Sequence, residues 1–436
     1  MAHKALTRTD TAWLHMDSPT NLMVVTGFFR FERPITLDRI KAAANGGLLK
    51  FDRFRSRIDD KRGFFARPRW VEDPDFDLNR HIVTDTLAEP GDDAALRQAI
   101  EARVGVPLDS NHPLWEMHLL QGYGSGCVLF FRIHHCIADG IALMQVLLSM
   151  CDASEDARAA VPRSKPKRPW WFWALLPITS VLWLLHFLWI TTWLMIRPKD
   201  PDTVYRAKLS GTKRTAWTHR LPLDKVKAVA NASGCKINDL LLATLSGALR
   251  DYAASRGRPM DKPVRVMVPV NLRGAKAAGD LGNSFALVTP TLPVNEAVAA
   301  SRLRTTKKRM DALKRSPEPL AVVVLLVTLG MIGARMQRAL MNFLVRKASA
   351  VVTNVPGPRT QLSFAGEPID DIQFWVPTSG ATAVGISIFS YRGFVTLGVM
   401  VDEAAIPDAQ SLADAIESEF QALCESVRAY SGGQRR

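Results

Sequence analysis

The chain has 436 residues, with 56 Lys and Arg against 42 Asp and Glu, a formal net charge of +14. This length has room for two or three domains with their own cores, and a hydrophobic fraction of 47% is that of a globular protein without bulk membrane character. The charge points to an anionic membrane surface or a polyanionic substrate; no zinc-finger spacing, RNA-binding aromatic signature or repeat supports nucleic acid.

Residues 6–32 read as a short helix or turn followed by a strand over 23–31, and residues 37–49 as a helix broken at Gly46-Gly47. The run Asp52-Arg-Phe-Arg55-Ser-Arg57 reads by itself as a solvated basic turn. Residues 93–104 have the period of an amphipathic helix. Pro113-Leu114-Trp115-Glu116 leads into two strands separated by the turn Gly122-Tyr-Gly-Ser-Gly126. The second strand carries the uninterrupted apolar run 128–131 and delivers His134 and His135, and the apolar residues from Ile141 to Leu147 suit a helix packed on it. Between them, Gly140 permits a tight turn after Asp139. A neutral imidazole at a rigid strand end is suited to taking a proton near pH 7. A polar strand terminus or a satisfied core histidine is the plainer reading of an isolated pair. Adjacent histidines on a strand point to opposite faces and do not share a metal ion, so no metal is expected.

The middle of the chain has a different composition. Residues 170–196 contain no Asp, Glu, Lys or Arg, hold six tryptophans, and are flanked by Lys165, Lys167, Arg168, Arg197 and Lys199. That length could span a bilayer, and the tryptophans and basic flanks resemble interface anchors. A buried helical hairpin is the alternative. A second apolar run, 319–333, follows the basic stretch 302–315 and reads as a core helix behind a solvated charged helix, a second membrane contact, or part of an acyl-chain groove.

In the second half, residues 223–232 read as a helix stopped at Gly234, and Asn238 or its neighbour as the cap of a long helix carrying Leu240, Leu241, Leu245 and Leu249. Strands are expected over 264–270, 350–353, 383–389 and 395–401, and an amphipathic helix over 408–430. Strands and helices alternate in both halves, which predicts an α/β chain of two similar domains. The boundaries expected are 1–162 and 211–436, joined by a linker over 163–210 that contains the Trp-rich segment.

The spacing His134-His135-three residues-Asp139-Gly140 resembles the HHxxxDG motif of the CoA-dependent acyltransferase superfamily. The blocks SPTNLM, RFRSRI, FDLNRHI and PLWE, then Asn238-Asp239, PVNLRG, Gly282-Asn283, Asn354-Val-Pro-Gly-Pro358 and Ser390-Tyr391-Arg-Gly393, occur in the order of the bacterial-type wax ester synthase/diacylglycerol acyltransferase family. The resemblance spans nearly the whole chain except 163–200. It implies two chloramphenicol-acetyltransferase-like domains facing a central channel, and transfer of a fatty acyl group from acyl-CoA, a co-substrate rather than a cofactor, to diacylglycerol or a long-chain alcohol. His135 is then the general base and His134 its support, with no acyl-enzyme. Asp139 would point away from the base and pair with Arg273, while Gly140, Asn238 and Asp239 would shape the site. Pro113, Leu114, Trp115, Gly282 and Asn283 would be structural supports or walls of an acyl pocket. Were His135 and Asn238 to share a site, a single membrane crossing between them is excluded, so residues 170–196 are expected to act as a monotopic anchor at the cytoplasmic face of the membrane or at a lipid droplet. The alternatives are a condensation-type enzyme with another acceptor and a catalytically silent lipid-binding protein. No glycine-rich phosphate loop identifies ligands for CoA.

Overall fold

A computed structural model describes residues 4–60, 67–151, 188–189, 192–193, 195–271, 285–316, 336, 339–340, 343, 346–378, 380 and 382–433. In the first half, helix α1 (Arg8–His15) starts at Thr7, whose hydroxyl oxygen accepts the Asp10 N–H at 3.0 Å. Strand β1 (Val24–Phe31), helix α2 (Leu37–Gly46), strand β2 (Ile82–Thr86), helix α3 (Asp93–Val104), strands β3 (Trp115–Tyr123) and β4 (Gly126–His134), and helix α4 (Gly140–Ser149) follow. Every residue of β4 is buried, which explains why its sequence does not alternate. It lies antiparallel between β1 and β3, with β2 parallel on the far side of β3.

The second half contains β5 (Lys213–Trp217), α5 (Leu223–Ala232), α6 (Ile237–Ser255), β6 (Val264–Asn271), β7 (Phe285–Val288) and α7 (Ala299–Arg315). It continues with β8 (Ala350–Pro356), β9 (Asp371–Trp375), β10 (Val384–Tyr391), β11 (Phe394–Asp402) and α8 (Ala409–Gly433). Its sheet runs β7-β6-β8-β10-β11-β5, with β6, β8 and β10 parallel. Apolar residues of α6, α7 and α8 share one core with this sheet.

Strand β9 does not join that sheet. It crosses to the first half and pairs antiparallel with β1, Phe374 opposite Gly27 and Asp371 opposite Arg30. Gly27 makes the approach possible: a Cβ there would come within 2.6 Å of the Gln373 carbonyl oxygen and of the Phe131 ring. Arg30 and Arg220, at 2.7 and 2.8 Å, hold Asp370 just before the crossing strand, and the Trp375 indole N–H at its end donates to the Ala216 carbonyl at 3.1 Å. Sequence patterning does not single out this strand.

Several local expectations are corrected. Arg53 is not a solvated basic residue; its side chain is 14% exposed and paired with the fully buried Asp10. Gly140 is the first residue of α4 and does not have a left-handed φ, so no turn there requires glycine. Of the two caps expected for α6, Asn238 or its neighbour, the neighbour Asp239 makes the capping contact and Asn238 does not. The Asp239 carboxylate reaches back to accept the Lys236 N–H at 3.2 Å and also pairs with Lys314 of α7 at 3.3 Å. Helix α7 is not merely a charged solvated face, because its Arg302 is buried against Glu419 of α8. Among the described residues no helix is long and apolar enough to cross a membrane. Most of 170–196 and all of 319–333, together with Arg273, Gly282 and Asn283, lie outside the described residues.

Candidate active site

Strand β4 ends at His134, and the chain then turns through His135 to Ala138 into α4. Backbone bonds pin this turn. The His134 N–H donates to the Leu114 carbonyl at 2.9 Å, and the His135 N–H donates to the Met23 carbonyl at 2.7 Å. The Asp139 carboxylate caps α4 by accepting the Ala142 N–H at 3.0 Å.

The two histidines have different surroundings. His134 Nδ1 accepts the Cys136 N–H at 3.1 Å, which places the ring proton on Nε2, 3.9 Å from Asp17. Burial, and then the adjacent His135, push the His134 imidazolium pKa down to about 3, so this ring is neutral. His135 lines a cavity between the two halves of the molecule. Its ring stacks on the Trp13 indole, centroids 4.5 Å apart and planes inclined by 20°. The cavity is further lined by Val25, Asp139 and Gly140 from the first half, and by Met267, Leu287, Val351 and Val355 from the second. Phe374 and Val376, from the crossing strand and the residues after it, close one side.

Of the other residues expected at a site, Asn238 reaches this one indirectly: its side-chain oxygen accepts from Asn354, a lining residue, at 3.3 Å. Asp239 is buried at the foot of α6 in the contacts described above. Leu114 and Trp115 lie beneath the histidine turn rather than in the cavity. The Trp115 indole N–H donates to the Phe54 carbonyl at 2.9 Å and its ring stacks on His81. Burial pushes the neighbouring Glu116 carboxyl up, but His118 and Arg132 outweigh it and hold the group down to about 2. Cys136 is buried, and first that burial, then Asp10, lift its thiol well above the ordinary value; it is not a thiolate.

Three residues not singled out from sequence support the site. Trp13 forms one face of the His135 environment. Arg53 donates to the Ile137 carbonyl at 2.6 Å and the Cys136 carbonyl at 3.3 Å while its other nitrogen holds Asp10 at 3.0 Å. Asn21 accepts from Lys213 at 2.6 Å and Thr378 at 2.7 Å and donates to the Gly380 and Thr382 carbonyls at 2.9 and 3.1 Å, which joins the two halves. The signal available was the three-residue spacing of Asp10 and Trp13, one helical face that holds an acid among apolar residues.

His135 thus stands in a mainly apolar cavity between two α/β halves, and likeness to known proteins gives the class and the family. Residues 6–171 match the wax ester synthase/diacylglycerol acyltransferase catalytic domain, and residues 281–424 match the WS/DGAT C-terminal domain. The chain belongs to the wax ester synthase/diacylglycerol acyltransferase family and is an acyl-CoA-dependent O-acyltransferase. A probable diacylglycerol O-acyltransferase, tgs1, of Mycobacterium tuberculosis is 27% identical over 404 residues, 85% of this chain and 84% of that one. The structure of a wax ester synthase/diacylglycerol acyltransferase from Marinobacter aquaeolei superimposes with a TM-score of 0.72 at 22% identity, covering 97% of this chain and 99% of that one. The starter condensation domain of rhizomide synthetase, in complex with C8-CoA and Leu-SNAC, has the same fold, with a TM-score of 0.62 at 14% identity over 98% of this chain and 94% of that one.

Proposed function

We propose that this enzyme transfers a fatty acyl group from acyl-CoA to diacylglycerol or a long-chain alcohol, with His135 as general base and no covalent intermediate on the enzyme. The observation that carries this reading is the position of His135 in the wall of a cavity lined mainly by apolar side chains from both halves. Such a cavity suits an acyl chain and a lipid alcohol. The imidazole takes the hydroxyl proton as the alcohol oxygen attacks the thioester carbonyl carbon, and the tetrahedral intermediate then expels the CoA thiolate. That thiolate receives the proton back from His135, so the enzyme ends as it began. General-base assistance of this kind contributes about 10²–10⁴-fold. The buried, protonated Cys136 is unsuited to act as a nucleophile. His134, neutral and bonded to the Cys136 N–H, supports the turn, and Asp139 sets the start of α4.

The acceptor is drawn from a membrane or lipid-droplet surface at the cytoplasmic side. In support, the helical residues Leu188, Trp189, Trp193 and Ile196 are exposed, as are Met336 and Phe343. Lys347 links the two groups, donating to the Met195 carbonyl at 2.5 Å with its ammonium 4.3 Å from the Phe343 ring centre. Apolar side chains beside Arg197, Lys199 and Arg346 suit an interface with anionic headgroups.

Purified wild-type and His135→Ala protein in detergent, given palmitoyl-CoA with dioleoylglycerol or hexadecanol, test the reaction by release of CoA and formation of ester. His135-dependent ester supports it and identifies the acceptor. CoA release without ester would move the reading to a condensation-type acceptor, and no turnover by folded protein would move it to lipid binding alone. Replacing Trp189, Trp193 and Ile196 with Ser should weaken co-sedimentation with anionic vesicles; unchanged binding would count against the docking surface.

A further inference from the structure

We propose that Trp13 holds the His135 ring and stabilises its protonated form during acyl transfer, and that Arg53 and Asp10 fix Trp13 and His135 relative to each other. This inference rests on the reading of His135 as the base. Trp13 is 6% exposed and His135 8%, so their stacked faces are largely out of water. When His135 takes the alcohol's proton it becomes a cation lying over an indole ring, an arrangement that strengthens on desolvation. The interaction is stronger in the charged transition state than with the neutral ring, so it raises kcat rather than tightening substrate binding.

The clamp accounts for how the stack is kept. Asp10 and Trp13 lie one turn apart on α1, and Thr7 caps that helix. The Arg53 guanidinium bridges Asp10 on this helix and the carbonyls of Cys136 and Ile137 immediately after His135. The Trp70 ring lies 5.2 Å from the same guanidinium. A planar fork is needed to hold partners on two segments at once, which a lysine ammonium does less well. Of the ionisable groups on the elements packed around His135, Asp10 and Arg53 are paired with each other and His134 is neutral, while the carboxylates of Asp17 and Asp139, which accept the Met23 and Ala142 N–H groups, act with the indole face in favouring a cation here. The described lining contributed by the second half carries no charged side chain.

The test uses the full-length enzyme as wild type, Trp13→Phe, Trp13→Leu, Arg53→Lys, Trp13→Leu/Arg53→Lys and His135→Ala. For each, kcat and KM are measured from pH 5.5 to 9, with circular dichroism as a check of folding. Trp13→Leu should lower kcat roughly 2- to 30-fold, the range for loss of a cation–π contact. It should leave KM within about twofold and move the acid limb of the kcat profile to lower pH, since the protonated ring has lost a stabilising partner. Trp13→Phe, which keeps a weaker aromatic face, should fall between wild type and Trp13→Leu. Arg53→Lys should lower kcat, and the double variant should be little worse than Trp13→Leu alone, because the clamp acts through the stack. A Trp13→Leu enzyme with wild-type kcat and an unmoved acid limb would overturn the inference. So would Phe and Leu variants that fall equally through KM, which would make Trp13 only a pocket wall. If His135→Ala is fully active, the general-base reading fails first and the inference with it; if His135→Ala is inactive while Trp13→Leu matches wild type, only the inference fails.

Discussion

Asn21 is the residue whose removal should most clearly separate the two halves of the molecule. Its amide makes four hydrogen bonds, two donated to the Gly380 and Thr382 carbonyls and two accepted from Lys213 and Thr378. Asn21 is 1% exposed and Lys213 7%, so Asn21→Ala leaves two carbonyls, a hydroxyl and one side of an ammonium without this partner. Neutral hydrogen bonds contribute about 1 kcal/mol each and one to a charged group about 1.5–3 kcal/mol, which sums to roughly 5 kcal/mol. Lys213 keeps Asp402 at 3.3 Å, and a water could occupy the space left, so the expected loss is about 3–4 kcal/mol. With a urea slope of about 3 kcal/mol/M, the unfolding midpoint, followed by tryptophan fluorescence, should fall by about 1 M. Asn21→Asp keeps the acceptor facing Lys213 but sets an oxygen against two carbonyls, and should lie between wild type and Asn21→Ala. Met23, two residues on, accepts the His135 N–H, so kcat should fall along with stability. An Asn21→Ala midpoint within about 0.3 M of wild type would refute the reasoning, since it would mean that water replaces the amide at little cost.

Other consequences can be measured separately. His134 has a folded pKa of about 3 against an ordinary 6.5, so below pH 6.5 the unfolded chain takes up a proton that the folded ring refuses. Its contribution is intact above that pH and is lost as pH falls towards 3; between pH 7 and 5 the loss is about 2 kcal/mol. His134→Gln, although less stable at pH 7, should show a smaller decline over that range in urea melts, and a parallel decline would contradict the assignment. The Arg302–Glu419 pair is buried on both sides, so Glu419→Ala should cost about 3–5 kcal/mol, whereas Arg302→Met/Glu419→Leu should recover most of that; thermal melts of the three proteins decide it. At Gly140 a Cβ would meet only the Val355 side chain, at 3.4 Å. Gly140→Ala should therefore fold with stability within about 1 kcal/mol of wild type, and a collapse of the fold would show that the glycine has a conformational role after all.

The elements legible in the sequence were those whose evidence is local. Strand β4 showed as an apolar run because it is covered on both faces, α3 and α8 showed through their period, and α5 was bounded by its stop at Gly234. The histidine motif was visible because strand, turn and helix follow one another without interruption from Gly126 to Ser149. Strand β9 was not, because nothing within Asp371–Trp375 states that its partner is β1, some 340 residues earlier. What permits that pairing is the missing side chain at Gly27, and a glycine in a strand reads locally only as a weakness.

The same difference explains why His135 could be selected but its support could not. Periodicity tells which face of an element is buried, not what it is buried against. Arg53 looked like a charge on a turn because its partners, Asp10 and the carbonyls of Cys136 and Ile137, are brought to it only by the fold. Asn21 stood in a block already marked by resemblance, yet its four partners lie between Lys213 and Thr382. A useful signal does remain in such cases. An acid three residues before a tryptophan on an otherwise apolar helical face must find a cation or lose its burial, and a short basic turn elsewhere is the natural supplier. Pairing such misplaced charges along the sequence joins Asp10 to one of Arg53, Arg55 and Arg57 and draws Trp13 towards the site. The choice among the three arginines still depends on which one also reaches the carbonyls that follow His135, and that is decided by the three-dimensional path of the chain.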